Sequence, residues 1–291
     1  FAVAVLLGLA SAQPADDLVT SLPQMEDFPY GVYSGYIDLP EPSKKIHYLF
    51  LESQDTPASD PVIVWYNGGP GCSSMLAFLQ ENGPWKFPDG ETTPIKNEQS
   101  WNKEANVLYI EHPAGVGYSY CNSDNGDNCT FDDDNQAEDN LKTIKGWYDK
   151  FPSYKTNDLY ISGESYAGIY VPYLLNQIHT YNQGSPSFQI PLKGMMVGNG
   201  VTNWKYDTIP SYIEMSFWHS LLDTETYDKM NELGCDYSGL EFDEEPSDEC
   251  MDLVNKFGDD IDGVNVYDIF GKCWSDPSQE TVSLPNQLGI T

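Results

Sequence analysis

Two short, uninterrupted apolar runs, PVIVWYN at 61–67 and NVLYIEHP at 106–113, constrain the fold more than any other feature of the sequence. Runs of this length without polar alternation suit strands buried on both faces, as in sheets covered by helices on either side. The neighbouring chain supplies such helices. Apolar residues recur at helical spacing in NQAEDNLKTIKGWYDKF (135–151), which stops before Pro152, and a second helical stretch covers 167–180. Strand-like segments at DLYIS (158–162) and GMMVGNG (194–200) complete an alternation of strand and helix, the pattern of a mostly parallel sheet. Upstream, two β-rich stretches within 30–51, separated by a Pro-rich turn, predict a hairpin.

Beyond Gly200 the texture changes. Residues 204–291 are rich in Tyr, Asp and Glu and offer no further buried strand. They read as a largely helical cap or insertion following the N-terminal part of a core at 13–203, with the rest of that core expected beyond Thr291. The opening FAVAVLLGLASAQ has the apolar run and small-residue ending of an incomplete signal peptide, with cleavage expected after Ala12. No later run is long enough to span a bilayer, so no membrane association is expected once the signal is removed.

The chain has 291 residues, 40% of them hydrophobic, enough to bury a sizeable core. Its formal net charge of −31 would repel nucleic acid and anionic membranes, which argues against polyanion binding. Six cysteines in an exported chain read as disulfides, and none shows the paired spacing of a zinc site. Cys121 with Cys129 and Cys235 with Cys250 bracket turn-rich loops and are expected as local pairs, while Cys72 and Cys273 remain open. Asn128, in the first of those loops, heads the N-x-[ST] tripeptide Asn128-Cys129-Thr130 and is a candidate glycosylation site. No metal or cofactor is expected.

The chemistry lies in two glycine-rich turns. In Gly163-Glu164-Ser165-Tyr166-Ala167-Gly168 a predicted strand passes into a predicted helix, and small residues flank a serine. That is the setting of a nucleophile elbow, which lifts a hydroxyl clear of an α/β-hydrolase sheet. The second turn, WYNGGPGCSS at 65–74, directly follows an apolar run, and its glycines let backbone amides face a cleft as an oxyanion hole requires. Phosphate cradling is disfavoured, because the Lys-Ser/Thr ending of a P-loop is absent.

Together with ENGPW (81–85), EHPAGVGYSY (111–120) and VGNGVTN (197–203), these motifs resemble the serine carboxypeptidases, in order and over about 25–275. The resemblance implies an α/β-hydrolase in which Ser165 attacks the peptide carbonyl and the Gly69 and Tyr166 amides hold the oxyanion. It also implies that Trp65, Asn67, Glu81 and Glu164 bind the substrate's free C-terminal carboxylate. A carboxylate accepts no hydrogen bond from an ionised Glu, so Glu81 and Glu164 must hold a proton between them, and activity should favour acid pH. Acyl transfer, ester hydrolysis and a non-catalytic role are the alternatives.

A serine nucleophile also needs a base, and the hydrolase order is Ser, Asp, His. Only His179 and His219 follow Ser165, and His47 and His112 precede it. His179 sits about four turns along the helix opened by the elbow, out of reach. His219 lacks the glycine-flanked loop the family uses. The expectation is therefore a truncated chain, inert by itself, from an enzyme of the vacuole, lysosome or extracellular space acting on peptides or proteins.

Overall fold

A computed structural model describes residues 13–25, 28–39, 43–88, 91–122, 130–235 and 247–271. The expected signal peptide, Asn128, Cys129 and Cys273 lie outside these residues. The chain divides into two compact units, one ending at Gly200 and the other beginning at Val201.

The first unit is built on a seven-stranded sheet in the order β1-β2-β6-β3-β8-β9, with β7 also pairing to β2. These strands are β1 (Val32–Leu39), β2 (Lys44–Leu51), β3 (Val62–Tyr66), β6 (Asn106–Ile110), β7 (Tyr120–Cys121), β8 (Leu159–Glu164) and β9 (Leu192–Gly198). A separate small hairpin pairs β4 (Trp85–Lys86) with β5 (Ile95–Lys96). The hairpin predicted within 30–51 is β1 and β2, paired antiparallel from Val32↔Leu51 to Leu39↔Lys44. β2 also meets β6 antiparallel, whereas β6, β3, β8 and β9 run parallel.

The two apolar runs become β3 and β6, and their side chains explain why neither alternates. Val62, Val64, Tyr66, Leu108 and Ile110 enter the core on one face, and Trp65, Val107 and Tyr109 enter the core on the other. Helices α1 (Asp133–Lys150) and α2 (Ala167–Gln183) cover the first face. There Phe50 of β2 lies with its ring 5.0 Å from both Trp147 and Phe151 and 5.1 Å from Tyr154. Helix α1 starts two residues before its predicted start because Asp132 and Asn135 form a reciprocal capping box. It ends at Lys150, with Phe151 as its cap ahead of Pro152. One buried ion pair crosses from sheet to helix, Lys44 Nζ to Asp139 Oδ2 at 2.6 Å.

The second unit contains α3 (Ile209–Trp218), α4 (Thr224–Leu233) and α5 (Asp248–Asp260) around its own apolar cluster, including Ile213, Met230, Val254 and Phe257. Cys235 and Cys250 are joined as the loop spacing predicts, linking the end of α4 to α5. Cys121 is also disulfide-bonded. No helix among the described residues is long and apolar enough to cross a membrane.

Helix α1 meets the sheet so closely that a side chain at one position would force its neighbour to shift. A Cβ added at Gly146 would lie 2.6 Å from Cγ2 of Ile37, a buried β-branched side chain on β1. Gly to Ala within a helix ordinarily stabilises by about 0.5–1 kcal/mol. Here overpacking should reverse the sign, and urea unfolding of Gly146→Ala should report a loss of about 1–3 kcal/mol.

Candidate active site

Strand β8 ends at Glu164 and α2 begins at Ala167, so Ser165 and Tyr166 alone make the turn. Ser165 takes φ +57°, a left-handed conformation that costs a non-glycine residue about 1–3 kcal/mol and persists only where its surroundings enforce it. Its amide donates to the Gly198 carbonyl at 3.0 Å, and its carbonyl accepts from the Gly168 amide at 2.9 Å. Two glycines make room for the bend. A Cβ on Gly163 would lie 2.4 Å from the Tyr66 oxygen and 2.6 Å from the Ala167 Cβ, and one on Gly68 would lie 2.4 Å from the Tyr166 nitrogen. The two glycine-rich turns of the sequence are therefore packed against each other, backbone to backbone.

The Gly68–Cys72 turn leaves the end of the neighbouring strand β3. Gly69 and Gly71 take φ of +113° and +85°, values open to glycine. The Cys72 amide donates to the Gly68 carbonyl at 3.0 Å, and the Gly71 amide donates to the Tyr170 hydroxyl of α2 at 3.2 Å. Cys72 carries a free thiol. A π-helical turn follows at Ala77–Glu81, closed by the Asn82 amide on the Ala77 carbonyl at 3.0 Å. It carries Glu81 back toward β3.

These elements converge on Asn67. Its Oδ1 accepts from Trp65 Nε1 at 2.9 Å and from the Ala77 amide at 3.3 Å. Its Nδ2 donates to Glu81 Oε1 at 3.1 Å and to Glu164 Oε1 at 2.9 Å. Both donors and both acceptor positions of the amide are filled, which fixes its orientation. Glu81 and Glu164 thus accept from one nitrogen, which brings the two carboxyls together. Burial, and next the charge of Glu164, push the Glu81 carboxyl up to about 7. Trp65, Asn67, Glu81 and Glu164 thus form one cluster, with Glu164 directly preceding Ser165 in the chain.

No imidazole of the first unit hydrogen-bonds to Ser165. His179 on α2 pairs with Gln183 at 2.8 Å, and His219 Nδ1 meets the Met215 carbonyl at 2.7 Å. His112 is buried with neither ring nitrogen hydrogen-bonded, and burial lowers its pKa to about 3, leaving it neutral. His47 bonds to Glu111 and Ser34. The importance of His47, Glu111 and Ser73 is absent from the motif reading, although a charged residue closing an apolar run marks Glu111 in the sequence. Among the described residues no cluster suits a metal ion.

The serine carboxypeptidase family model matches residues 23–288. Mouse lysosomal protective protein is 37% identical over 276 residues, covering 92% of this chain and 56% of that protein. Serine carboxypeptidase-like 20 of Arabidopsis thaliana is 34% identical over 290 residues, covering 96% and 57%. The chain spans about half the length of the curated relatives it matches. The crystal structure of a prohormone-processing carboxypeptidase from Saccharomyces cerevisiae aligns with a TM-score of 0.65 at 26% identity, over 79% of this chain and 53% of that one. This agrees with the α/β-hydrolase fold expected from the elbow.

The carboxyl pair has a consequence for stability. Glu81 is raised from the ordinary 4.5 to about 7, so between these values the folded protein holds a proton that the unfolded chain releases. This contribution to stability is complete below about pH 4.5 and is lost as pH rises toward 7. Denaturant titrations at pH 5 and pH 7.5 should therefore show a fall in stability that is smaller in Glu81→Gln.

Proposed function

Because the chain belongs to the serine carboxypeptidase family, we propose that the protein removes C-terminal residues from peptides and proteins by way of an acyl-enzyme at Ser165. The observation that carries this reading is the pair of carboxyls, Glu81 and Glu164, held on one Asn67 nitrogen, with Glu164 one residue from the strained serine. Such a pair suits a carboxylate better than any neutral group. A protonated carboxyl donates to it, whereas two ionised ones would repel it. Trp65 takes part through its indole N–H, which holds the Asn67 amide with Nδ2 toward the acids.

In this reading the Ser165 hydroxyl attacks the last peptide carbonyl. The amides of Gly69 and Tyr166 stabilise the oxyanion that forms, each donor contributing about 10²–10³ in turnover. Collapse of the tetrahedral intermediate expels the C-terminal residue as the amine, and water then releases the acyl group from Ser165. Proton transfer at each stage requires a base and acid at the serine. None of the three histidines of the first unit bonds to Ser165, and His219 lacks the glycine-flanked loop of the family's base, so residues 1–291 by themselves should be inert toward peptides and fluorophosphonates. The acid-favouring carboxyl pair fits a vacuolar or lysosomal site of action, and secretion would make the same demands on the fold. The second unit is read as a cap.

Two assays on the full-length protein test this function. A blocked dipeptide with a free C-terminus should be cleaved and its amide left intact, while cleavage of both equally would point to an esterase or transferase site. Glu164→Gln should extend peptide hydrolysis toward neutral pH, because removing that charge eases ionisation conflict at the pair, and an unchanged profile would contradict the assignment.

A further inference from the structure

Behind the glycine turn lies a line of polar groups that carboxylate recognition does not use. Glu111 stands one residue beyond β6 with 0% of its surface exposed. A carboxylate so placed is stable only if donors fill its lone pairs. Three converge here. Ser73 Oγ donates to Oε1, the Tyr118 amide donates to Oε2 at 2.8 Å, and His47 Nδ1 meets Oε2 at 2.8 Å. Burial pushes the Glu111 carboxyl up, but the bonds from His47, Ser73 and the Tyr118 amide outweigh it and hold the group below its ordinary range.

The partners of Glu111 are themselves fixed. His47 Nε2 bonds to the Ser34 hydroxyl at 2.8 Å, and the ring sits edge-on to Tyr36 and Tyr118 with centroids at 5.6 and 5.2 Å. The His47 amide donates to Ser119 Oγ at 2.8 Å, and that hydroxyl donates to the Glu111 carbonyl at 2.6 Å. Gly117, at φ +54°, lets the chain fold over the carboxylate, since a Cβ there would fall 1.8 Å from Glu111 Oε1.

Ser73 is the outward end of the line. Its hydroxyl accepts from the Met75 amide at 3.1 Å, and its carbonyl accepts from the Leu76 amide at 3.0 Å, so it starts the helical segment that ends at Glu81. In the chain it directly follows Cys72, whose amide closes the turn that carries Gly69. One hydroxyl therefore ties a rigid buried carboxylate to the start of the helical segment, at the residue next to the glycine turn.

We propose that Glu111, partnered by His47, is a positioning residue for acyl chemistry at Ser165. Acting through the Ser73 hydroxyl, it fixes the 68–74 turn so that the Gly69 amide meets the developing oxyanion. This rests on Gly69 serving as an oxyanion donor. Displacing a catalytic group by about 1 Å can cost about 10²-fold in rate, so a buried anchor for a glycine-rich turn has a direct kinetic consequence.

The test uses the full-length protein, a blocked dipeptide and an activated ester, with kcat expressed per active site counted by fluorophosphonate titration. Misfolded molecules then drop out of the measurement. Ser73→Ala should lower kcat about tenfold on both substrates with KM within about twofold, and slow fluorophosphonate labelling in parallel. Ser73→Thr, which keeps the hydroxyl, should recover most of the loss. Ser73→Ala combined with Glu111→Gln should be no slower than Glu111→Gln alone, because both remove one link. If Ser73→Ala does not fold, Ser73→Cys, similar in shape but a weak donor, should show the same fall in kcat. An unchanged kcat per active site in the folded variant, a loss confined to KM, or losses that multiply in the double variant would overturn the proposal. A parent that turns over the ester but not the peptide would sink the carboxypeptidase reading and leave this test standing. A parent that neither turns over nor labels would contradict both.

Discussion

The side-chain amide of Asn67 is the interaction on which the site depends. It receives the Trp65 indole and the start of the π-helical turn on its oxygen, and presents its nitrogen to Glu81 and Glu164. An Asp at this position would lose the donor and add a third charge beside two carboxyls. The amide therefore sets the electrostatics of the cluster as well as its shape. Because both glutamates accept from one nitrogen, the charge of Glu164 adds to burial in raising the Glu81 carboxyl.

The sheet makes this meeting possible. β3 and β8 are adjacent and parallel, with Trp65 opposite Ser162 and Tyr66 opposite Gly163, so the next residues along each strand emerge side by side. Asn67 and Glu164 therefore arrive together at the carboxyl ends of neighbouring strands, where open α/β sheets place their ligands. The glycines at 68 and 163 then allow the two turns to approach within distances no side chain would permit. Fold and site share one cause, the register of two buried strands.

Much of this was legible in the sequence, for physical reasons. The runs that became β3 and β6 lack alternation because both their faces are buried, and Gly163, Ala167 and Gly168 around Ser165 marked the tight turn. The Cys235–Cys250 pair followed from a short loop between cysteines. What local pattern could not supply was any grouping assembled from distant segments. Glu111 draws donors from Ser73, Tyr118 and His47, and Lys44 meets Asp139 across the core. Nor does AFLQE at 77–81 announce a π-helical turn, since its residues fit an ordinary helix equally well. The place of Glu81 in the cluster was available only from the motif order that resembles the carboxypeptidases.

The central claim is that the Glu81–Glu164 pair takes up a proton to hold a terminal carboxylate. Calorimetry on Ser165→Ala full-length protein measures this directly, by binding a peptide with a free C-terminus at pH 8 in buffers of different ionisation enthalpy. The account predicts uptake of about one proton per peptide bound, falling toward zero at pH 5, with no such uptake for the amidated peptide. Binding of the free-acid peptide at pH 8 without proton uptake would contradict it.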